Sequence, residues 1–191
     1  MTPEKNTDGG LMGRWRYRVW QFFMRLGACL TLEDTGPARE ILPDAAWKLF
    51  MAMPRGDRWH GLCVYRRLCR DRDSISRDLA QAALLHDVGK ASARLTLVHR
   101  SLIVLLGRMA PDVLAQLSAS DERGWRYPFH VHRHHDVLGA ALCEGAGCSA
   151  RTVHLVRHHE RSTHGHDGAS RTVPPVRDEE LDALREADDR C

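Results

Sequence analysis

The sequence predicts an all-α protein, and three observations carry that expectation. Apolar residues recur at helical spacing through most of the 191 residues. No stretch alternates apolar and polar residues for long enough to demand a β-strand. Proline, glycine, serine and aspartate stand at the intervals where helices of ordinary length begin and end. With 43% hydrophobic and 28% charged residues, the composition excludes a disordered chain and fits a soluble globular protein. The length suits one domain with attachments.

The elements follow in order. Residues 1–13 begin with the polar run "MTPEKNTDGG" and are expected to be disordered. Residues 14–42 hold an N-terminal amphipathic helix and a linker, with Trp15, Val19, Phe22, Leu26 and Leu30 on one face and Arg14, Arg18, Gln21 and Arg25 opposite. Four arginines cut "RWRYRVWQFFMRLGACL", so it is neither a signal peptide nor a membrane span. The helix is expected to pack on its own domain; lying on an anionic membrane surface is the alternative. Gly36-Pro37 and Pro43 break the chain, and the main domain is expected over 43–191. Pro43 and Asp44 open a short helix through Trp47, Phe50 and Met51. A helix carrying His60, Val64 and Leu68 on one face follows "MPRGD". Then comes "SISRDLAQAALLHD", with Ser74 or Ser76 as its N-cap. Later helices are expected at about 94–109, 112–119, 129–146, 150–160 and 177–189. One long loop, "THGHDGASRTVPPV", follows a histidine pair, as loops that cover a site do.

A formal charge of +3 is too small to argue for nucleic acid, and the aromatic residues of "GWRYPFHVHRH" have helical neighbours to pack on. The six cysteines contain no C-x-x-C pair, so no disulfide framework is expected and the protein is read as cytoplasmic and reduced. Histidine is the exceptional residue: there are twelve, nine of them between His130 and His166. Clustered imidazoles point to metal.

The segment "ALLHDVGKA", residues 83–91, is where that chemistry focuses. Successive helical side chains point about 100° apart, yet His86 and Asp87 can both reach an ion at a helix end, and the second carboxylate oxygen can bridge to another. Further ligands must come from distant positions, and His60, His135, His158, His159 and Asp188 are the candidates. Seven groups from five helices would give two ions roughly three or four protein ligands each. A set of nitrogen and oxygen donors without thiolate suits Mn, Fe, Co, Ni or Zn. Lys90, one turn past His86, could hold a phosphate oxygen or simply cap helical carbonyls. Gly89 is expected to let the backbone leave the helix.

These residues resemble the HD superfamily of metal-dependent phosphohydrolases, whose signature runs His, His-Asp, Asp on an all-helical core. The matching residues are His60, His86 with Asp87 in "LLHDVGK", and Asp188 in "LREADD". The resemblance covers about residue 43 to the C-terminus and implies an HD-domain helical bundle. "HHDVLGAAL" and "VRHHE" are similar to segments of the HD-GYP branch, which implies second-metal ligands at His135, His158 and His159, with Asp87 bridging. The residues alone leave His130 and His134 open as a ligand pair in place of His135, and Asp189 open beside Asp188. The chain reads "RSTHGHDGAS" where that branch continues into Gly-Tyr-Pro, so the resemblance does not extend to cyclic-dinucleotide recognition.

The implied activity is hydrolysis of a nucleotide, cyclic nucleotide or other small phosphoester by water activated between two divalent ions, with Asp87 and Lys90 in catalytic roles. The alternative is a non-catalytic metal- or nucleotide-binding signalling module of the same fold. The chain ends at "ADDRC" directly after the last candidate ligand, where a helix would ordinarily continue. The expectation is either that further chain completes the core or that the termini meet in a homodimer.

Overall fold

The computed structural model describes residues 34–93, 96–121, 123–160 and 178–191. The expected disorder at 1–13, the amphipathic helix after Arg14 and the loop at 163–176 lie outside these residues. Among the described residues the regular structure is entirely helical: nine α-helices and one 3-10 turn, with no strand. None of these helices is long and apolar enough to cross a membrane.

Helix α1 (Gly36–Ile41) starts with Pro37 in its first turn and buries Ala38, so the segment read as linker contributes to the core. Helices α2 (Asp44–Ala52) and α3 (Arg55–Asp71) each begin behind a proline, Pro43 and Pro54. Helix α4 (Arg77–Leu85) is capped by Ser76, whose hydroxyl accepts the Leu79 N–H at 3.0 Å. Every residue of α4 from Leu79 to Leu85 is buried. That follows from its contacts, for α4 touches α1, α2 and α3, and also α8 (Ala150–His158) and α9 (Glu179–Asp189). A helix so surrounded needs apolar residues on nearly all sides, and "LAQAALL" supplies them apart from Gln81, whose side-chain amide donates to the Ile41 carbonyl at 3.2 Å.

After α4 the chain tightens into the 3-10 turn Val88–Ser92. Helix α5 (Leu97–Met109) opens with a capping box between Thr96 and His99, which gives His99 a structural task. Helices α6 (Pro111–Ser118) and α7 (Tyr127–Gly145) follow, and α7 is kinked at His134. Ser149 caps α8 by accepting the Thr152 N–H at 3.0 Å. Asp178 caps α9 and is itself gripped by Arg151 through bonds of 2.7 and 2.6 Å.

The core runs from Ala38 and Phe50 through Leu62, Val64, Leu84, Leu85, Ala140, Leu155 and Val156 to Leu184. Buried Asp57 on α3 receives a two-pronged contact from Arg100, at 2.9 Å to one oxygen and 3.2 Å to the other, which fastens α5 to α3. Among the described residues one disulfide, Cys63 to Cys191, joins α3 to the residue two beyond α9, with Cα atoms 6.0 Å apart. A fully reduced chain is thus not what the structure has. The two thiols are 128 residues apart, so no local spacing announces their meeting.

Two close approaches depend on glycine. A Cβ on Gly61 would lie 2.9 Å from the Leu84 carbonyl oxygen, so α3 and α4 cross backbone to backbone beside His60. A Cβ on Gly89 would collide with the His135 carbonyl and sit 2.7 Å from the Gly139 nitrogen. The need for glycine at 89 is therefore contact with α7 and not freedom to leave a helix. Among the described glycines only Gly147 has a positive φ.

Gly89→Ala is expected to cost about 1–3 kcal/mol or more through overpacking, read as a melting temperature lower by on the order of 5 °C. Gly145→Ala, where nothing lies within 4 Å of the new methyl, should leave the melting temperature unchanged or slightly raised.

Candidate metal centre

Three of the candidate histidines are oriented by one local device. His86 is the C-cap residue of α4, and its Nδ1 lies 3.0 Å from the Ala83 carbonyl oxygen. His159 is the C-cap residue of α8, with Nδ1 2.7 Å from the Val156 oxygen. His135 directly follows the kink in α7, with Nδ1 2.8 Å from the His132 oxygen. A carbonyl oxygen only accepts, so each Nδ1 carries the proton and donates it. In the neutral ring the Nε2 lone pair is then bare and directed away from the helix. The acceptor in each case is three residues back, where a helix end or kink leaves carbonyls without a regular partner.

The bare nitrogens converge on Asp87. His60, His86 and Asp87 bring one ligand atom each within 4.8 Å of one another, and so do Asp87, His135 and His159. The five residues are 0–3% exposed. The rings form a chain of edge-to-face contacts, His60 to His86 at 5.2 Å, His86 to His159 at 5.1 Å and His159 to His135 at 5.2 Å. Asp188 joins from α9, its Oδ1 2.7 Å from His60 Nε2 and 3.6 Å from His86 Nε2.

Spacing and orphaned atoms both fit a cation. Two ligand atoms on one tetrahedral ion, each about 2.0–2.1 Å from it, are about 3.4 Å apart. Here His135 Nε2 is 3.5 Å from Asp87 Oδ1, and His86 Nε2 is 3.7 Å from that same oxygen. Direct hydrogen bonds would draw such atoms closer, to about 2.7–3.2 Å. His86 Nε2 and His135 Nε2 are buried without a hydrogen-bond partner, a state that costs about 1–3 kcal/mol each unless a ligand answers it.

The charges suit such a ligand. Burial would raise the Asp87 carboxyl, but the Lys90 ammonium and the imidazoles of His86, His135 and His60 hold it well below the ordinary range. Burial, with Lys90 next, pushes His135 well down, and burial with His86 lowers His159 to about 4. Burial also opposes charge on His86, but the carboxylates of Asp87 and Asp188 outweigh it and raise that imidazole. Asp188 is held far down against its burial by His60 and His86. Lys90 Nζ lies 2.6 Å from Asp87 Oδ1, so the lysine stands on the shared carboxylate.

Of the pair at 158 and 159 only His159 turns inward. His158 is exposed, its ring 4.6 Å from that of His154, and it belongs to neither group of ligand atoms. Consecutive side chains diverge by about 100°, so one helix end delivers one of the two. His130 and His134 lie ring to ring at 4.6 Å, and His130 Nδ1 meets the Ser118 carbonyl at 3.1 Å, so they form no part of either group. Between Asp188 and Asp189, the contacts with His60 and His86 belong to Asp188.

Two residues at the site had no role in the sequence reading. Glu160 Oε1 lies 3.4 Å from His135 Nε2. Arg185, one turn before Asp188, donates to the carbonyls of His158 at 2.7 Å, His159 at 3.2 Å and Glu160 at 3.4 Å. It ties the end of α8, which carries His159, to α9, which carries Asp188. An arginine three residues before a candidate ligand shares its helix face, and that was the available signal.

Arg185→Ala is expected to lower stability by about 1.5–3 kcal/mol, since it strips charged donors from a helix end; Arg185→Lys should restore part of it in the same denaturant titration. Acid should weaken the metal-free protein. The unfolded chain takes up imidazole protons near pH 6.5, which folded His159 refuses until about pH 4 and folded His135 refuses until well below that ordinary value. Stability therefore falls as pH drops through that window. His86 works in the opposite sense, while Asp87 and Asp188 add further loss below the ordinary carboxylate pKa of about 3.9. Denaturant midpoints in chelator at pH 7, 5.5 and 4.5 would show the decline. Comparison with known protein families, curated proteins and solved structures finds no match to this chain.

Proposed function

We propose that this chain is a binuclear metal-dependent phosphohydrolase of the HD type, acting on a nucleotide, cyclic nucleotide or other small phosphoester. The observation that carries the reading is the sharing of one buried carboxylate, Asp87, by two groups of ligand atoms. His60, His86, Asp87 and Asp188 would hold one divalent ion, and Asp87, His135 and His159 the other. Ions of Mn, Fe, Co, Ni or Zn held there would polarise a phosphoryl oxygen and acidify water between them.

The protein's own groups support that chemistry. Three Nδ1–H bonds keep His86, His135 and His159 in the one tautomer that presents Nε2. Asp87 is held ionised by its cationic neighbours, ready to bridge. Lys90 is buried to 16% exposure beside it, a point charge suited to an anionic phosphate oxygen. The same ion pair favours a second reading: a lysine seated on the shared carboxylate also suits a non-catalytic module that binds metal or nucleotide and performs no hydrolysis.

Elemental analysis beside turnover of an aryl phosphodiester separates these readings. The hydrolase should contain about two equivalents of metal, as binuclear sites do, lost in the His86→Ala, Asp87→Ala double variant together with turnover. Asp87→Asn alone should reduce turnover by more than the roughly 10–100-fold that changes behind the ligands cost. Metal without turnover on any phosphoester would favour the binding module. A chain that takes up no metal after reconstitution would sink both the centre and the hydrolase.

A further inference from the structure

We infer that Glu160 is a ligand of the ion held by Asp87, His135 and His159, at its solvent-facing edge, and that His158 is not. The inference rests on the metal-centre reading above and assigns that ion a donor outside the expected set. Glu160 Oε1 lies 3.4 Å from His135 Nε2, next to the 3.5 Å between that nitrogen and Asp87 Oδ1. Both match the spacing of two donors on one ion, about 3.4 Å.

A hydrogen bond between Glu160 and His135 does not account for the approach. His135 spends its one neutral-ring proton at Nδ1, on the His132 carbonyl. Its Nε2 is buried and has no hydrogen-bond partner. A lone pair and a carboxylate oxygen thus face each other at 3.4 Å, an approach that a cation between them relieves.

Position and charge agree. Glu160 follows His159 directly, and Arg185 grips the carbonyls of residues 158, 159 and 160, so the chain is fixed where the carboxylate leaves it. The Glu160 side chain is 54% exposed, whereas His135 and Asp87 are nearly sealed. It is the donor on the open side, where a substrate phosphate would arrive. Asp87 alone, shared between two ions, leaves the His135 side with two neutral imidazoles and half a carboxylate. A second carboxylate offsets the charge of a divalent ion there. His158 offers none of this, because it is exposed and its ring lies tilted beside that of His154, 4.6 Å away.

The test titrates Mn²⁺ into the full-length, chelator-treated chain by calorimetry, for the wild type, Glu160→Gln, Glu160→Asp and His158→Ala. The expected result is two ions in the wild type, with one of the two sites weakened about 10-fold or more in Glu160→Gln. Glu160→Asp should recover part of that affinity, and His158→Ala should match the wild type. Because Glu160 is half exposed and Gln removes the carboxylate charge from beside His135 Nε2, the metal-free melting temperature of Glu160→Gln should not fall. Wild-type affinity for both ions in Glu160→Gln overturns this inference and leaves the metal centre intact. Loss of an ion in His158→Ala with none in Glu160→Gln overturns it too. Absence of Mn²⁺ binding in the wild type overturns the metal centre and this inference together.

Discussion

Three buried imidazoles in this protein each give their Nδ1 proton to the carbonyl three residues earlier, and the rest of the site depends on that bond. A histidine ring has two nitrogens, and only a fixed tautomer makes one of them a dependable donor of a lone pair. Helix ends supply the acceptors, since their last carbonyls have no partner within the helix. His86 and His159 therefore sit where α4 and α8 stop, and His135 sits just beyond the bend of α7. What ends each helix also aims its imidazole.

Aiming three rings at one point demands that their helices come close, and the protein meets that demand with small residues. Gly61 lets α3 lie against α4, and Gly89 with Gly139 lets the 3-10 turn lie against α7. Both crossings are next to site residues, His60 at the first and Asp87 with His135 at the second. Arg185 adds a cross-brace from α9 to the end of α8, and Asp57 with Arg100 braces α3 against α5. The outcome is that His86 Nε2 and His135 Nε2 are held 3.7 and 3.5 Å from Asp87 Oδ1, too far for hydrogen bonding and near enough to share a cation, while Lys90 at 2.6 Å pairs directly with that oxygen. Burying lone pairs in that arrangement weakens the fold locally, which is the expected signature of a site built for a ligand.

Much of this was legible in the chain. Helical periodicity, the prolines before α2 and α3 and the serine before α4 determined an all-helical protein and several of its boundaries. The His-Asp pair at the end of an apolar run marked the centre, because two such polar residues are costly to bury without a partner. Distant members of the set were readable only as candidates, since one-dimensional spacing says which face of a helix a residue shares and not what that face meets.

Tertiary structure decided the rest, and for physical reasons. Which of His158 and His159 turns inward depends on the rotation of α8 against α4, to which both residues are equally suited by type. The reason for glycine at 89 is a contact with a carbonyl 46 positions away, and the bridge between Cys63 and Cys191 spans 128 residues. The kink that frees His135 and the grip of Arg185 on another helix's end arise only when the helices are assembled. The sequence by itself determined the helices and the kind of chemistry its ligand types allow; only the packing of those helices decided which atoms meet at Asp87, because donors are chosen by distance and direction and neither exists until the chain has folded.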